Sequence, residues 1–472
     1  MNSSRMLRVG TITTLTLAQI AVNAAPPLAQ SIQVQAEHNF IARRANPDLT
    51  PDSAVAKYAD PQVGSTVDQL VSDALEHNGE LRALRKEVEA AQALVKQARL
   101  RANPMVDVRR KEQIGGTDND TMVAGSLPLE LGGRRSSRIA VAELEVEVRE
   151  RELANSERLL SAAVRVKFGE ALAAVLKLGF DDDLVATSQR GYSLVAARVT
   201  SGGTAPLEQN MVLVELNRLK SMREVAAGNV EILLFELRNL IGMLPEQPMR
   251  LRGDFDSLVD QLPTISEATG QAIQNRPDLQ ALRVAENLSA ARIEQARAGG
   301  RIDAALTAQY ERMDFSFPQR GLSQTGQFVP IRGVFNSVTV GVTLDLPVRN
   351  KNQGAIEAAV AEAEGVKRRR EFLELTVRRE VASAYAQYNS TARAAEIFRV
   401  GVKDQANANL DVVRQTYELG SKSLIDYLGE QRRFIDLQNE YIDALLDTFK
   451  ARVEVERAIG SPIASRQQVT RR

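Results

Sequence analysis

Catalysis and metal binding draw on a short list of side chains, and this 472-residue chain carries few of them. It has no cysteine, which removes a thiol nucleophile, a disulfide framework and a structural zinc site. Histidine occurs only as His38 and His77, and a metal-selective filter would need more ordered ligands than these. The nine methionines are scattered, as expected of helix packing rather than a soft-ligand site. The glycine pairs Gly115-Gly116, Gly132-Gly133, Gly202-Gly203 and Gly299-Gly300 fall at element boundaries, where turns explain them, and none reads as a phosphate-cradling loop. An enzyme is therefore the weakest reading. With 60 basic and 60 acidic residues in balance, the chain lacks a nucleic-acid footprint.

The residues that remain informative are apolar ones at a spacing of two. From Phe335 to Val348, Val338, Val340, Val342, Leu344 and Leu346 share one face, while Ser337, Thr339, Gly341, Thr343 and Asp345 share the other. A second copy runs from Thr121 to Leu131, with Val123, Leu127 and Leu129 on the matching face at a constant offset of 217. Such strands suit either a surface strand of a soluble sheet or a barrel strand, apolar toward lipid and polar toward a lumen. On the barrel reading, all eight apolar residues face hydrocarbon. A shorter strand at Val106 to Lys111 completes a hairpin with the Thr121 strand, although Arg110 falls on its apolar face.

These strands are set among long helices. Arg5 and Arg8, an apolar run and small residues near Ala24 and Ala29 read as a signal peptide over 1–29. The stretch 30–64 is polar and punctuated by Pro47, Pro51 and Pro61, as in an extended or poorly ordered arm. Ser65 to Asn103 reads as one helix. From Arg134 to Thr200 a proline-free pattern with Ile139, Val146, Leu153 and Leu160 at sevens predicts a coiled-coil helix about 100 Å long. Ser201 to Pro206 turns it back into a second helix over 207–242.

After a proline-rich linker, 244–263, the plan repeats. The segment around Leu81 is echoed around Leu279 at an offset of 198, and beyond the second hairpin Phe168 matches Tyr385 and Leu207 matches Leu424 at 217. The first repeat thus covers 65–243, the second 264–460, and a tail 461–472. The 19-residue difference between those offsets places an insertion, expected as an external loop, in the second hairpin. Four strands are too few to close a barrel, so a membrane role requires sharing among protomers.

The duplicated plan, the Leu127-Pro128-Leu129-Glu130-Leu131-Gly132-Gly133-Arg134 segment, the Leu344 to Lys351 segment and the tip from Tyr417 to Asp426 resemble the TolC family of outer-membrane efflux factors, and within it the heavy-metal, CzcC-like branch. The resemblance implies a mixed α and β membrane protein: tandem long helical hairpins forming an α-barrel coiled coil, and four transmembrane strands per chain in a 12-stranded barrel of a homotrimer. It implies a passive exit duct, holding no cofactor, in outer-membrane lipid with a long periplasmic helical part. The implied partners are a periplasmic adaptor and a proton-driven inner-membrane pump, and heavy-metal cations are the cargo of this branch. A duct for drug efflux or type I secretion, and a periplasmic coiled-coil scaffold without a pore, stand as alternatives.

The resemblance also assigns the helical tips. The turns bearing Gly203, Thr204 and Leu207, and Gly420, Ser421 and Leu424, are expected to meet the adaptor, with Gly203 and Gly420 also serving as C-caps. In the family, an acid of the first tip bonds a Tyr and an Arg of the second, closing the entrance, and a further acidic ring lies just inside. Tyr417, Lys422 and Asp426 match in the second repeat, whereas Gln209 replaces the first-repeat acid and Gly429 the ring acid. Lysine lacks the arginine fork, and glutamine leaves only a charge–dipole contact. The expectation is a gate held less firmly by charge, with Asp426 as the main cation-attracting ring. The alternative is that these are solvated helix ends and that apolar neighbours such as Leu424 close the tunnel.

Overall fold

The computed structural model describes residues 54–255 and 262–460, so the signal peptide expected at 1–29, the arm up to residue 53 and the tail 461–472 lie outside the described residues. The first repeat comprises α1 (Ala54–Tyr58), α2 (Val67–His77), α3 (Gly79–Arg99), β1 (Met105–Glu112), β2 (Asn119–Pro128), α4 (Arg134–Thr200) and α5 (Pro206–Ile241). The second comprises α6 (Ile265–Asn275), α7 (Pro277–Gly299), β3 (Asp303–Leu322), β4 (Phe328–Asp345), α8 (Gln353–Ile397), a π-helical turn (Phe398–Val402), α9 (Lys403–Glu418) and α10 (Leu424–Ile459).

The single helix expected over 65–103 is two helices, because Asn78 intervenes. Its backbone N–H closes α2 on Ala74 O, its side-chain oxygen accepts from Leu81 N at 3.0 Å to start α3, and its amide donates to Leu240 O at 2.9 Å. In the second repeat Arg276 stands in the same place and donates to the corresponding carbonyl of Ala458 at 3.4 Å, its buried guanidinium paired with Asp278 and Glu380 at 2.6 Å each. The capping box Thr66–Gln69 at the start of α2 likewise returns as Thr264–Glu267 at the start of α6. Duplication thus preserves the job of a position even where the residue changed.

The 54–64 part of the arm and the 244–255 part of the linker are packed against the helices. Tyr58, Met249, Leu251 and Phe255 are buried in the main core, and Ala59 and Ser65 both bridge to the backbone of Leu251. That core gathers Leu70 and Ala74 of α2, the Val164–Leu178 waist of α4, Val230, Leu234 and Leu237 of α5, and Phe449 of α10. At Gly169 the Phe449 ring approaches so closely that a Cβ has no room. The 67 residues of α4 run on from this waist in both directions, about 100 Å in all.

The four strands form one antiparallel sheet in the order β1-β2-β3-β4. Its register stacks one face into apolar rows: Val108, Val123, Tyr310 and Val338; then Val106, Gly125, Ala308 and Val340; then Leu127, Leu306 and Val342; then Ala304 and Leu344. Val338 to Leu344 covers roughly 20 Å along the strand at 3.4 Å per residue. Ala304, at the end nearest the helices, is buried, but the larger side chains of the band are left exposed by the described residues, with Val338 at 75% and Val340 at 70% exposure. Arg110 is no exception to the face, since its row, with Thr121, Arg312 and Asn336, is the polar rim where the apolar band stops. Tyr310 marks that border, its ring in the band and its hydroxyl donating to Asn336 Oδ1 at 2.8 Å.

Two expectations about the strands are corrected. Leu129 and Leu346 lie just past the ends of β2 and β4. Leu129 is still held against the sheet by its N–H on Ala304 O at 2.9 Å. The 19-residue insertion is not a loop: it lengthens β3 to 20 residues and β4 to 18, leaving only Ser323–Gln327 as the turn.

An uncovered apolar face of this extent requires an apolar medium. Val342→Arg, in the middle of the band, is expected to cost about 2–4 kcal/mol of insertion and to deplete the assembled protein in membrane fractions, whereas Thr343→Arg on the opposite face leaves it intact. Equal recovery of both variants would refute a lipid-facing band.

Candidate channel entrance

The helix ends farthest from the sheet are two tight turns. After α4, Gly202 adopts the left-handed conformation (φ 76°) and Gly203 N–H bonds Arg198 O at 2.8 Å. After α9, Gly420 does the same (φ 77°), with Ser421 N–H on Thr416 O at 2.9 Å. The residue equivalent to Gly420 is therefore Gly202, not Gly203, and the offset between tips is 218 rather than 217. The following helices agree: Ala205 and Ser423 are the N-caps, Pro206 and Leu424 the first helical residues. The additional residue lies between Tyr385 and the tip, where α8 passes through the π-helical turn Phe398–Val402, a wider turn that takes up about one residue.

This slip changes which acid serves which role. Glu208 and Asp426 are the equivalent third residues of α5 and α10. Ser423 draws Asp426 into a capping box: the serine hydroxyl donates to Asp426 Oδ2 at 2.8 Å, and the Asp426 N–H returns to the hydroxyl at 3.2 Å. Those bonds from Ser423, the hydroxyl foremost, hold the Asp426 carboxyl below its usual range. Ala205 has no hydroxyl, so Glu208 is not recruited and accepts instead from Tyr417 Oη, at 3.4 Å, across to the other hairpin. Burial, and then the Glu208 carboxylate, push the Tyr417 phenol above its ordinary value of 10, so it remains a donor throughout the physiological range.

Of the four residues expected at the gate, the structure joins Tyr417 to neither Gln209 nor Lys422. Gln209 donates to Tyr192 Oη at 3.2 Å within its own hairpin. Lys422 is exposed and lies within electrostatic reach of Asp426. Glu208 was legible only as the residue three past Ala205, a helix start without a capping hydroxyl. Beneath it, Tyr417 stacks on Tyr427 with centroids 5.7 Å apart and planes 6° from parallel. Both rings border a core of Val195, Val212, Leu424 and Leu428 that fastens the two tips together. Leu424 is accordingly buried rather than offered for docking, whereas Gly203, Gly420, Ser421 and Leu207 are exposed and Thr204 is half-buried. Leu207 and Ile425, each at 68%, and Leu419, at 81% exposure, are large apolar residues that the tips present. Farther along the hairpins, burial opposes ionisation of Glu215, but Arg218 at 2.6 Å and Arg432 at 2.9 Å hold its carboxyl below the usual range and clamp α5 to α10.

Among the described residues no group of three or more His, Asp or Glu side chains could hold a metal ion, and His77 contacts only Asp73 O, at 3.1 Å. His38 lies outside the described residues.

Two stretches, 70–242 and 268–461, match the family described as "Outer membrane efflux protein", one in each repeat. The chain belongs to that family. The outer membrane efflux protein fold is shared with a crystallised CusC, a protein described by its folding and transmembrane channel formation, at a TM-score of 0.69 and 18% identity over 85% of this chain and 93% of CusC. In sequence, the chain is 23% identical to the cobalt-zinc-cadmium resistance protein CzcC of Cupriavidus metallidurans over 84% of its own length and 90% of the relative. It is also 23% identical to the nickel-cobalt-cadmium resistance protein NccC of Alcaligenes xylosoxydans xylosoxydans, over 64% of this chain and 66% of that one. As an outer membrane efflux protein it is a passive exit duct, not an enzyme, with its helices in the periplasm and its four strands in a 12-stranded barrel shared by three chains. That assignment removes the pore-less scaffold.

A hydrogen bond between the tips contributes about 1 kcal/mol, so its loss shifts an open-to-closed ratio roughly five-fold. Glu208→Gln and Tyr417→Phe are each expected to raise the open fraction of single channels in planar bilayers, and Gln209→Ala to leave it unchanged. Because the phenol pKa is raised, the contact persists below pH 10 and weakens only above it. A response to Gln209→Ala and none to Glu208→Gln would sink the assignment.

Proposed function

We propose that this duct exports divalent heavy-metal cations delivered by a proton-driven inner-membrane pump, with a periplasmic adaptor seated on its helical tips. The observation that carries the cargo is the likeness to two cation-resistance proteins over most of the chain. The tip chemistry agrees with it. Asp426 is exposed, and its capping hydrogen bonds from Ser423 favour the ionised form. Three copies around the entrance would raise the local cation concentration without binding any ion tightly. Selectivity among metals would then reside in the pump, since the described residues hold no ligand cluster.

For the adaptor, the exposed Leu207 at the first tip and Leu419 and Ile425 at the second offer apolar anchors beside backbone turns, and Thr204 and Ser421 sit next to them in the chain. Photo-crosslinkers placed at Thr204 and Ser421 are expected to capture the adaptor encoded with the pump, whereas capture only from the strand end would refute the docking.

Deletion of the gene is expected to sensitise cells to cobalt, zinc, cadmium or nickel salts and to leave dye and antibiotic tolerance unchanged. The reverse pattern would assign the duct to drug efflux. In purified channels, Asp426→Asn is expected to lower the cation-to-anion permeability ratio and weaken block by divalent ions. An unchanged ratio would remove Asp426 from the entrance field.

A further inference from the structure

The β3–β4 hairpin outgrows the rest of the sheet. β2 stops pairing at Asn119 opposite Asp314, so residues 315–333 continue without it on the side away from the helices. Two residues before that level, at the row of Arg312 and Asn336, the polarity of the two faces exchanges. Below it, the face of Val338 to Leu344 is apolar, and the opposite face carries Thr307, Gln309, Glu311, Ser337 and Thr339. From that row outward, the first face carries Arg312, Asp314, Ser316, Arg332 and Asn336, with Val334 among them, and the opposite face carries Met313, Phe315, Phe317, Ile331 and Phe335. In the closed barrel that second face is the one continuous with the lumen.

The apolar face is ordered yet uncovered. Phe317 and Phe335 meet edge to face at 6.2 Å across Gly333, where a Cβ would come within 2.8 Å of one ring and 3.1 Å of the other. Phe315, Phe317, Ile331 and Phe335 nevertheless keep 38–48% of their surface exposed. The polar face, by contrast, is engaged by the short hairpin: Ser316 N–H donates to Asp118 Oδ1, Ser316 shares a hydroxyl bond with Thr117, and Arg332 donates to Thr117 O, each at 2.9 Å. At the bulge between Phe317 and Arg320 the register shifts, and such irregularities bend a strand.

Reach decides what can cover this face. Twelve strands about 4.8 Å apart and tilted near 40° enclose a radius of roughly 12 Å, and the nine residues from Asp314 to Leu322, eight steps along the strand, extend at most about 27 Å. An inward-leaning hairpin therefore reaches the three-fold axis. We propose that the three overhanging hairpins converge over the outer mouth, each resting its Phe317–Phe335–Ile331 face against a second copy of the chain, and form an apolar collar at the exit. The collar extends the inter-protomer contact that already joins the barrel edges. It would resist wetting at rest and pass ions only when parted.

The chain has no cysteine, so single substitutions report cleanly. Ile331→Cys and, as a second variant, Val329→Cys on the same face are expected to yield covalent dimers when the assembled protein is oxidised in outer-membrane vesicles, and Arg332→Cys, on the opposite face, to yield few. The double variant Phe317→Ser, Phe335→Ser is expected to raise resting conductance at least two-fold. Dimers from neither face, equal dimers from both, or a nitroxide at residue 331 reporting hydrocarbon would overturn the collar, as would unchanged conductance. None of these readings depends on the exported solute or the adaptor, so failure here is distinguishable from failure of the proposed cargo.

Discussion

The constraint on which the structure depends is the pair of bare edges on a four-stranded sheet. Among the described residues, β1 and β4 each present an outer row of backbone N–H and C=O groups that no further strand pairs. In water such an edge is a liability; in hydrocarbon each unsatisfied group costs several kcal/mol, which no local adjustment recovers. Closure by like chains is the available solution, and three-fold symmetry supplies it by pairing the β4 edge of one protomer with the β1 edge of the next. The trimer, the lumen and the stacked helical hairpins beneath follow from that single requirement.

The same requirement explains why the two repeats resemble each other unevenly. Near the barrel and in the core, positions keep their jobs: Asn78 and Arg276 both join two helices and both donate to a carbonyl of the returning helix. At the tips the repeats part company. One N-cap is a serine that holds its own acid, and the other is an alanine that releases it toward Tyr417. A one-carbon difference in the acids and one missing hydroxyl thus turn a helix cap into a contact between hairpins.

Much of this was legible in the sequence because its signals are periodic. Val338 to Leu344 alternate without interruption, and the echo of Leu81 in Leu279 survives as plain identity, so strand parity, duplication and the long helices could be read directly. What escaped were features that periodicity hides. The β3–β4 extension resembled a loop because its aromatic residues sit on the opposite parity from the band below. Arg110 looked misplaced until the cross-strand register put it beside Arg312 and Asn336. Glu208 was passed over for Gln209 because an added residue inside a helix leaves the pattern on either side undisturbed. The capping rule, Ser423 with Asp426 against Ala205 with Glu208, was the local sign that could have exposed it.

The π-helical turn at Phe398–Val402 bears on how such a chain tolerates change in length. One residue more or less in a continuous α-helix rotates everything beyond it by about 100°, which would sweep the buried stripe of α9 off its neighbours. A widened turn stores that residue locally and returns the helix to phase. Deleting one residue there should relax the turn to ordinary α-helix and leave both tips in place, whereas the same deletion in the uninterrupted α4 has nowhere to be absorbed. The second hairpin therefore carries an evolutionary slack that the first lacks, and insertions or deletions that survive among relatives are expected to cluster at that turn.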